Sequence, residues 1–233
     1  MQAGHMRHRL SKLRRRTFEA LGSSRYSRPS LFEIDRKLER FLDFEGGVFV
    51  EAGANDGFNQ SNTYYLEKFR GWTGVLVEAI PELYQMCVKQ RARSRVYHGA
   101  LVADDFSGNA VTMHYANLMS IVDGAMKSAE GDREHVLRGA KLQRGVVPYQ
   151  LEVPAMTLTH VLDDAALERI DLLSLDVEGY ELQVLRGLDF NRYRPAFVLV
   201  EANHRDEIND YLTQRRYVIV DEFSHRDVLY AEC

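Results

Sequence analysis

Cysteine is scarce in this chain of 233 residues, and its scarcity argues against two classes of protein. Cys87 and Cys233 are far apart in sequence, and neither belongs to a CxxC motif or to a cluster with histidine. Because a disulfide framework and a structural zinc site both need such spacings, the sequence predicts neither. We expect both thiols to be reduced.

Long apolar runs are also missing. No segment approaches the roughly 18 uninterrupted apolar residues of a membrane-spanning helix, and the first residues lack the apolar stretch of a secretory signal. We therefore predict no membrane span and a cytoplasmic location. Hydrophobic residues make up 45% of the chain and charged residues 27%, which is typical of a globular protein. The length suits one α/β domain.

Acidic residues are nearly absent from the first 28 residues, which contain eight lysines and arginines and a single acid, Glu19. The rest of the chain therefore carries a formal charge of −11, although the whole chain carries −4. A nucleic-acid-binding domain usually presents a basic face. An acidic body of this kind predicts no nucleic-acid partner.

The basic segment allows two interpretations. Leu10, Leu13, Phe18 and Leu21 give it a ragged apolar side that suits an anionic surface. A solvated, partly helical tail is the simpler interpretation. Because residues 4–6 read GHM, which resembles a cloning remnant, we treat residues 1–30 as a basic arm that is partly tag or flexible. Residues 31–233 are then a single domain.

Short apolar segments alternate with helical patterns from about residue 30 onward. This alternation predicts a parallel sheet covered by helices on both faces. The predicted strands are 48–50, 75–77, 95–102, 151–153, 171–175, 197–200, 217–220 and 228–230. The predicted helices are 31–42, 61–69, 81–91, 179–188 and 206–215, and one more begins at Thr157 or Thr159.

Residues 104–150 interrupt this order. They are polar and irregular, with scattered glycines and a helical pattern around 128–139. Because a long insertion in a compact domain is usually functional or disordered, we expect a lid or a wall of the acceptor site. Met113, His114, Tyr115 and Met119 suit a mixed apolar and polar pocket, although ordinary packing explains them equally well.

Polar residues concentrate where the predicted strands end, which is where ligands bind in such sheets. The first strand runs into Glu51 and then into Gly53 and Gly57. The dinucleotide fingerprint GxGxxG would need glycine at Asn55, and no GK[ST] sequence is present, so a P-loop is excluded. An acid before the first glycine suits a ligand with an ammonium group better than it suits a ligand with a pyrophosphate. A tight structural turn remains the alternative.

Glu78 ends the second strand, at the spacing from the glycine loop where an acid accepts hydrogen bonds from ribose hydroxyls. A single acid after a strand is usually a solvated loop residue. The loop that follows the preceding strand makes ribose binding the better interpretation of Glu78.

Two ordered groups of motifs resemble the FkbM family of methyltransferases. The first group is EAGANDG at 51–57, SNT at 61–63, GWTGVLVE at 71–78 and PE at 81–82. The second group is IDLLSLDVEGYELQVLRG at 170–187, followed by VEAN at 200–203. The resemblance covers roughly residues 45–222 and leaves the basic arm and the insertion unexplained.

The resemblance implies a class I methyltransferase fold, which is Rossmann-like, with a mostly parallel seven-stranded sheet and helices on both faces. It also implies S-adenosylmethionine as the methyl donor. The reaction would be O-methylation of a hydroxyl on a sugar, a glycoside or a small natural product. The acceptor partner would thus be a small molecule or a carbohydrate.

The same resemblance assigns donor-binding residues by position. The donor's methionine part would be lined by Glu51, Gly53, Asn55 and Asp56. Its carboxylate would be held by Ser61, Asn62 and Thr63, which cap the next helix. Glu78 would bind the ribose. The adenine would be bordered by Ala100, Leu101 and Asp104.

Catalytic candidates follow the later strands. Asp176 ends a central strand and is the best candidate, while Glu181 suits a first-turn acid that the helix dipole favours. Methyl transfer to a hydroxyl needs alignment of the reacting atoms and removal of a proton. Glu201 and His204 follow the adjacent strand, and His204 is a candidate base, although a histidine at this place is more often a surface residue.

The metal requirement stays open at this point. A magnesium ion would lower the pKa of a substrate hydroxyl, and Asp176 and Glu201 are suitable oxygen ligands. Two other classes of function also stay open. One is a donor-binding protein without catalysis, and the other is a nucleic-acid methyltransferase that uses the basic arm. A homo-oligomer is compatible with the sequence.

Overall fold

A computed structural model describes residues 2–143 and 145–233, with side chains from residue 10 onward. The helices are α1 (Gln2–Ala20), α2 (Ile34–Leu38), α3 (Tyr64–Phe69), α4 (Pro81–Gln90), α5 (Ala129–Leu142), α6 (Leu158–Ala165), α7 (Glu181–Arg186) and α8 (Arg205–Thr213). The strands are β1 (Val48–Ala52), β2 (Thr73–Glu78), β3 (Arg95–His98), β4 (Ala100–Val102), β5 (Ala110–Tyr115), β6 (Ile121–Val122), β7 (Tyr149–Thr157), β8 (Leu172–Leu175), β9 (Phe197–Glu201), β10 (Tyr217–Glu222) and β11 (Asp227–Glu232).

The central sheet has seven strands in the order β3-β2-β1-β8-β9-β11-β10. Neighbouring strands are parallel except at β11, which runs antiparallel to both β9 and β10. β1 is an inner strand between β2 and β8, with Val50 opposite Val75 of β2 and Leu173 of β8. The expected mostly parallel seven-stranded sheet is therefore confirmed.

Helices cover both faces of this sheet, as expected. Val50 points to the face that packs against α6, α7 and α8, where Leu162, Leu185 and Ile208 are fully buried. Phe49 points to the opposite face, towards α2, α3 and α4. Because both faces of the central strands are covered, successive residues are apolar, and this explains the short apolar runs of the sequence.

The predicted third strand, 95–102, is wrong as one strand because the chain changes sheets at Gly99. Residues before this glycine form β3 of the central sheet, and those after it form β4, which belongs to a second sheet in the order β4-β7-β5-β6. Residues 104–150 are therefore less irregular than expected. They supply β5, β6 and α5, and β5 pairs antiparallel with β7 from Ala110–Pro154 to Tyr115–Tyr149.

Two predicted helices are shorter than expected. The helix predicted over 31–42 is a 3-10 turn at Leu31–Glu33 followed by α2, because Phe32 and Glu33 adopt left-handed backbone conformations. The helix predicted from residue 61 begins at Tyr64. Ser61, Asn62 and Thr63, which were expected to begin this helix, instead donate hydrogen bonds to Glu51. Ser61 and Thr63 donate from their hydroxyls, and Asn62 donates from its backbone N–H.

The C-terminal part of the basic arm packs against the domain. Arg15 is 4% exposed and stacks on Phe58, with its guanidinium 3.6 Å from the ring centre. Glu19 accepts hydrogen bonds from the hydroxyls of Tyr64, at 2.8 Å, and Ser27, at 2.7 Å. The expectation of a solvated tail is wrong for this part of the arm. Among the described residues, no helix has the length and apolarity needed to cross a membrane.

A fully buried arginine, Arg91, lies directly after α4 and joins three elements below the sheet edge. Its Nε donates to Glu67 Oε2 at 2.9 Å, its Nη1 to Glu51 Oε2 at 3.1 Å, and its Nη2 to Thr63 Oγ1 at 2.7 Å. The sequence analysis missed this residue. Arg91 follows Leu83 and Cys87 at four-residue spacing, so it shares the inward face of α4.

We predict that Arg91→Met lowers the free energy of unfolding by about 3–5 kcal/mol, because Glu51 and Glu67 would stay buried without a counter-charge. The measurement is urea denaturation at pH 7. Arg192→Met is the matched control, since Arg192 forms an exposed pair with Asp163. The control should change stability by about 1 kcal/mol or less. Equal, small losses in both variants would contradict the role of Arg91.

Candidate active site

A cleft opens at the carboxyl ends of β1, β2 and β8. Its floor is formed by the end of β1 and the loop after it, and its sides by the ends of β2 and β8. Of the predicted site residues, the cleft brings together Glu51, Gly53, Asn55, Ser61, Asn62, Glu78, Ala100, Leu101 and Asp176. The sequence therefore predicted nine of the residues that line the cleft on the sheet side.

Gly53 is the point where the two predicted loops touch. Its backbone has φ +82°, and a Cβ atom built there would lie 1.8 Å from the carbonyl oxygen of Asp176. No other residue fits this conformation and this contact. The first glycine loop and the end of β8 are therefore at the same edge of the sheet, as the parallel order requires.

Glu51 is held in a dense hydrogen-bond network. Its carboxylate accepts from Ser61 Oγ at 3.0 Å, from the Asn62 N–H at 3.0 Å and from Thr63 Oγ1 at 2.6 Å, in addition to Arg91. Thr63 is completely buried beneath the cleft and does not line it. Its predicted direct contact with a ligand carboxylate is wrong, because its hydroxyl belongs to this network.

The loop after β1 turns its two polar residues in different directions. Asn55 adopts φ +49°, and its N–H donates to Glu78 Oε2 at 2.7 Å. Asp56 accepts from the N–H groups of Phe58, at 2.9 Å, and Asn59, at 2.7 Å, and lines another cavity, beside α1. The prediction that Asp56 lines the donor cleft is wrong, because this local turn uses its carboxylate.

Glu78 is buried and binds the backbone with both oxygens. In addition to Asn55, the Ile80 N–H donates to its Oε1 at 2.8 Å. Burial raises the pKa of Glu78 to about 7, although these backbone hydrogen bonds act in the opposite direction. Its charge therefore changes close to neutral pH.

Asp104 is not part of the cleft. Ala100 and Leu101 line it, but the chain turns away after β4, and Asp104 is exposed beside a different cavity with Thr159 and Arg186. The predicted contact of Asp104 with the adenine is therefore wrong. The opposite side of the cleft is formed by residues of the insertion, which are Met113, Asn117, Leu118, Ser120 and Val122.

Three carboxylates converge at the ends of β8 and β9. Oxygens of Asp176, Glu178 and Glu201 lie within 4.8 Å of one another. Desolvation raises the pKa of Asp176 well above its ordinary value, and the charges of Glu201 and Glu178 raise it further. Desolvation and the charge of Glu178 also raise the pKa of Glu201, although Arg226 acts in the opposite direction.

A second depression adjoins the cleft at these carboxylates. Glu201 lines it, with Arg226 Nη1 3.2 Å from Glu201 Oε1. The other side is apolar and includes Leu31, Phe32 and Leu142. The site therefore has two connected parts, with the carboxylates at their junction.

The histidine beside the carboxylates is His135, and the expected candidate, His204, lies elsewhere. His204 lines neither part, and its Nε2 lies 3.3 Å from the carbonyl oxygen of Ala125. His135 of α5, which the sequence analysis did not single out, has Nε2 3.4 Å from Glu178 Oε2. Helical spacing was the available signal, since His135 shares the inner face of α5 with buried Asp132 and Gly139.

Glu181 supports the turn between β8 and α7. Its Oε1 accepts from the N–H of Gly179 at 2.8 Å and of Val177 at 3.2 Å, and burial raises its pKa to about 8. These contacts hold Glu178 in its left-handed conformation at φ +54°. Glu181 therefore has a positioning role below the carboxylate cluster.

Residues 51–225 match the family model of the methyltransferase FkbM domain. None of the curated proteins compared with the chain matches it. Among solved structures, the chain is similar to a TehB-like SAM-dependent methyltransferase from Corynebacterium glutamicum, with 11% identity, a TM-score of 0.44 and 100% of both chains covered.

A second similar structure is methyltransferase FkbM from Methylobacillus flagellatus, with 15% identity and a TM-score of 0.46. The match covers 80% of this chain and 43% of that one, so this chain spans less than half of that relative. A third is fibrillarin from Aeropyrum pernix in complex with S-adenosyl-L-methionine, with 14% identity, a TM-score of 0.42, and coverage of 81% and 67%.

The match to the family model extends over more than half of the chain and contains the glycine loop, Glu78 and the three converging carboxylates. The chain therefore belongs to the FkbM methyltransferase family.

Proposed function

We propose that this protein transfers a methyl group from S-adenosylmethionine to a hydroxyl of a sugar, a glycoside or a small natural product. The observation that carries the proposal is the meeting of the two cavities at Asp176. One cavity has a buried acid at each end, Glu51 and Glu78, and the other is partly apolar and reaches Glu201. A donor and an acceptor would meet at this junction.

The donor would lie along the cleft from β1 to β4. Its amino-acid end would occupy the side of Glu51, Gly53 and Asn62, and its ribose hydroxyls would donate to Glu78. The adenine would lie against Ala100 and Leu101, with Met113 of the insertion on the other face. In this orientation the sulfur of the donor would lie near Asp176.

The carboxylate pair supplies the proton acceptor in this proposal. The acceptor hydroxyl loses its proton to Glu201, and its oxygen attacks the methyl carbon. The carbon–sulfur bond breaks, and its electron pair stays on the sulfur of the neutral thioether product. In this scheme Asp176 is protonated and Glu201 is the carboxylate. His204 has no place in this scheme, since it faces the Ala125 carbonyl.

A divalent cation fits the same three carboxylates. Asp176, Glu178 and Glu201 offer oxygens within 4.8 Å of one another, and oxygen ligands are those that Mg²⁺ prefers. Three acids held this closely repel one another unless a proton or a cation lies between them. A bound magnesium ion would lower the pKa of the acceptor hydroxyl.

The Glu78 assignment predicts a pH-dependent affinity for the donor. Ribose hydroxyls need the carboxylate form, so binding below pH 7 must first remove a proton, and the affinity should fall as the pH decreases from 8 to 6. Calorimetry with S-adenosylhomocysteine measures this. Glu78→Gln should weaken binding by about tenfold and remove the pH dependence.

Glu168→Gln is the control for this experiment, because Glu168 is exposed and lies outside the cleft. It should bind like the parent protein at each pH. Unchanged affinity and an unchanged pH profile in Glu78→Gln would remove Glu78 from the ribose role.

The carboxylate pair predicts a loss of turnover without a loss of donor binding. Glu201→Gln removes the proton acceptor while keeping the side-chain shape, and turnover should fall by at least about 100-fold. The assay measures S-adenosylhomocysteine release with a panel of glycosides and small hydroxylated compounds, and with RNA as the competing acceptor class. The dissociation constant of the donor should change by less than about threefold.

Asp104→Asn is the matched control, because Asp104 is exposed and lies outside both parts of the site. It should keep the parent turnover. An active Glu201→Gln variant would contradict the catalytic assignment, and release only with RNA would favour the nucleic-acid function instead.

The metal hypothesis predicts binding of Mn²⁺ as a spectroscopic substitute for Mg²⁺. Electron paramagnetic resonance should detect one bound ion per chain, and Glu178→Gln should weaken its binding by about tenfold, since a ligand is lost. Chelator should also suppress turnover until Mg²⁺ is restored. Parent protein that binds no Mn²⁺ and ignores chelator would rule out the metal.

A further inference from the structure

The cavity beside α1, which Asp56 lines, is outside the active site and lies between α1, the loop after β1 and α4. Its volume is about 250 Å³. Four cationic side chains line it, which are Lys12, Arg14 and Arg15 of α1 and Lys89 of α4. The two parts of the active site contain no such concentration of positive charge among the described residues.

Arg15 is built into the wall of this cavity. It is 4% exposed, stacks on Phe58, and donates from Nη2 to Gln90 Oε1 at 3.3 Å. Its Nη1 is buried and has no hydrogen-bond partner within the described part of the chain. A buried guanidinium nitrogen without an acceptor is costly. The arginine is therefore fixed in place with unused hydrogen-bonding capacity.

The positive charge of the cavity is not balanced by its own acid. Asp56 also lines it, but it supplies one negative charge against the four positive ones. Glu19 Oε1 lies 3.8 Å from Arg15 Nε and also accepts hydrogen bonds from Tyr64 and Ser27. Neither Lys12 nor Lys89 forms an ion pair with any acid of residues 10–143 or 145–233. Burial lowers the pKa of Lys12, and the charges of Arg16, Arg15 and Lys89 lower it further, although Asp56 acts in the opposite direction.

We propose that this cavity binds a phosphate group and so holds α1 against the donor loop. Phosphate is a compact anion with several acceptor oxygens, and arginine and lysine are the side chains that bind it in proteins. A bound phosphate relieves the repulsion among the four cations. Because Asn59 lines both this cavity and the donor cleft, the phosphate lies directly behind the donor loop.

The phosphate group has two sources, a soluble phosphate compound or a phospholipid headgroup. The outer side of α1 carries Leu10 and Leu13, which are 60% and 63% exposed, and Arg16 lies beside them. An exposed apolar stripe with flanking arginines suits an anionic bilayer surface. The experiment therefore has one arm for each source.

The first arm titrates the full chain with inorganic phosphate and with diphosphate in a calorimeter, at constant ionic strength set by sodium chloride. We expect saturable binding of at least one anion and a rise in melting temperature. Lys12→Ala combined with Lys89→Ala should weaken binding by at least about tenfold. Both lysines lie at the cavity and outside the buried core, so the double variant should fold.

Arg133→Ala combined with Lys141→Ala is the charge-matched control, since both side chains are exposed on α5 and neither lines the cavity. It should bind like the parent protein. No donor or acceptor is present in this assay, so its outcome is independent of the methyltransferase function. Equal binding by the two double variants would overturn the proposal.

The second arm measures co-sedimentation with vesicles of phosphatidylglycerol and phosphatidylcholine, and with vesicles of phosphatidylcholine alone. Binding to the anionic vesicles that is lost in Lys12→Ala with Lys89→Ala, and reduced in Leu10→Ser with Leu13→Ser, identifies a lipid headgroup. Diphosphate binding without vesicle binding identifies a soluble phosphate compound. The absence of binding in both arms overturns the proposal.

Discussion

Burial of negative charge at one edge of the sheet is the constraint on which this structure depends. Glu51, Glu78 and Glu181 are buried, Asp176 is half-buried, and a buried carboxylate without a partner would cost several kcal/mol. The acids are stabilised in different ways. Arg91 forms an ion pair with Glu51, backbone N–H groups bind Glu78 and Glu181, and the neighbouring carboxylates raise the pKa of Asp176. The same edge carries the cleft, because parallel strands bring their carboxyl ends together.

These three forms of stabilisation suit three tasks. Glu51 is fixed by a buried arginine and by hydrogen bonds from the SNT segment, so it is a rigid wall beside the amino-acid end of the proposed donor. Burial raises the pKa of Glu78 to about 7, so hydroxyl donors that bind it favour its charged form near neutral pH. Desolvation and neighbouring acids raise the pKa of both Asp176 and Glu201, which suits the proton transfer of the proposed reaction. Chemistry at this edge therefore follows from how each acid is compensated.

The fold was largely predictable because its signals are local. The apolar runs of β1, β2, β8 and β9, and the glycine at 53, all follow from covalent geometry and burial within a few residues. The missed features depend on distant partners. Arg91 meets Glu51 across 40 residues, and β5 pairs with β7 across the insertion. Asp104 had the right residue type and position in sequence, but the change of sheet at Gly99 directs it elsewhere. Asp56 is the exception, because a local turn uses its carboxylate, with the N–H groups two and three residues further along the chain as donors.

The insertion connects the two parts of the site, and its geometry constrains the acceptor. β5 and β6 cover the donor cleft, while α5 brings His135 to Glu178 and places Leu142 over the adjoining depression. In the proposed reaction, an acceptor beside Glu201 would enter between α5 and the turn at Leu31 and Phe32. One side of that passage contains the apolar residues Leu31, Phe32 and Leu142, and the other contains the charged residues Glu201 and Arg226. A hydroxylated ring with an apolar substituent satisfies both sides, whereas a long polyanion would meet the carboxylates at the end of the passage. This contrast is the physical reason for proposing a glycoside or natural product over a nucleic acid.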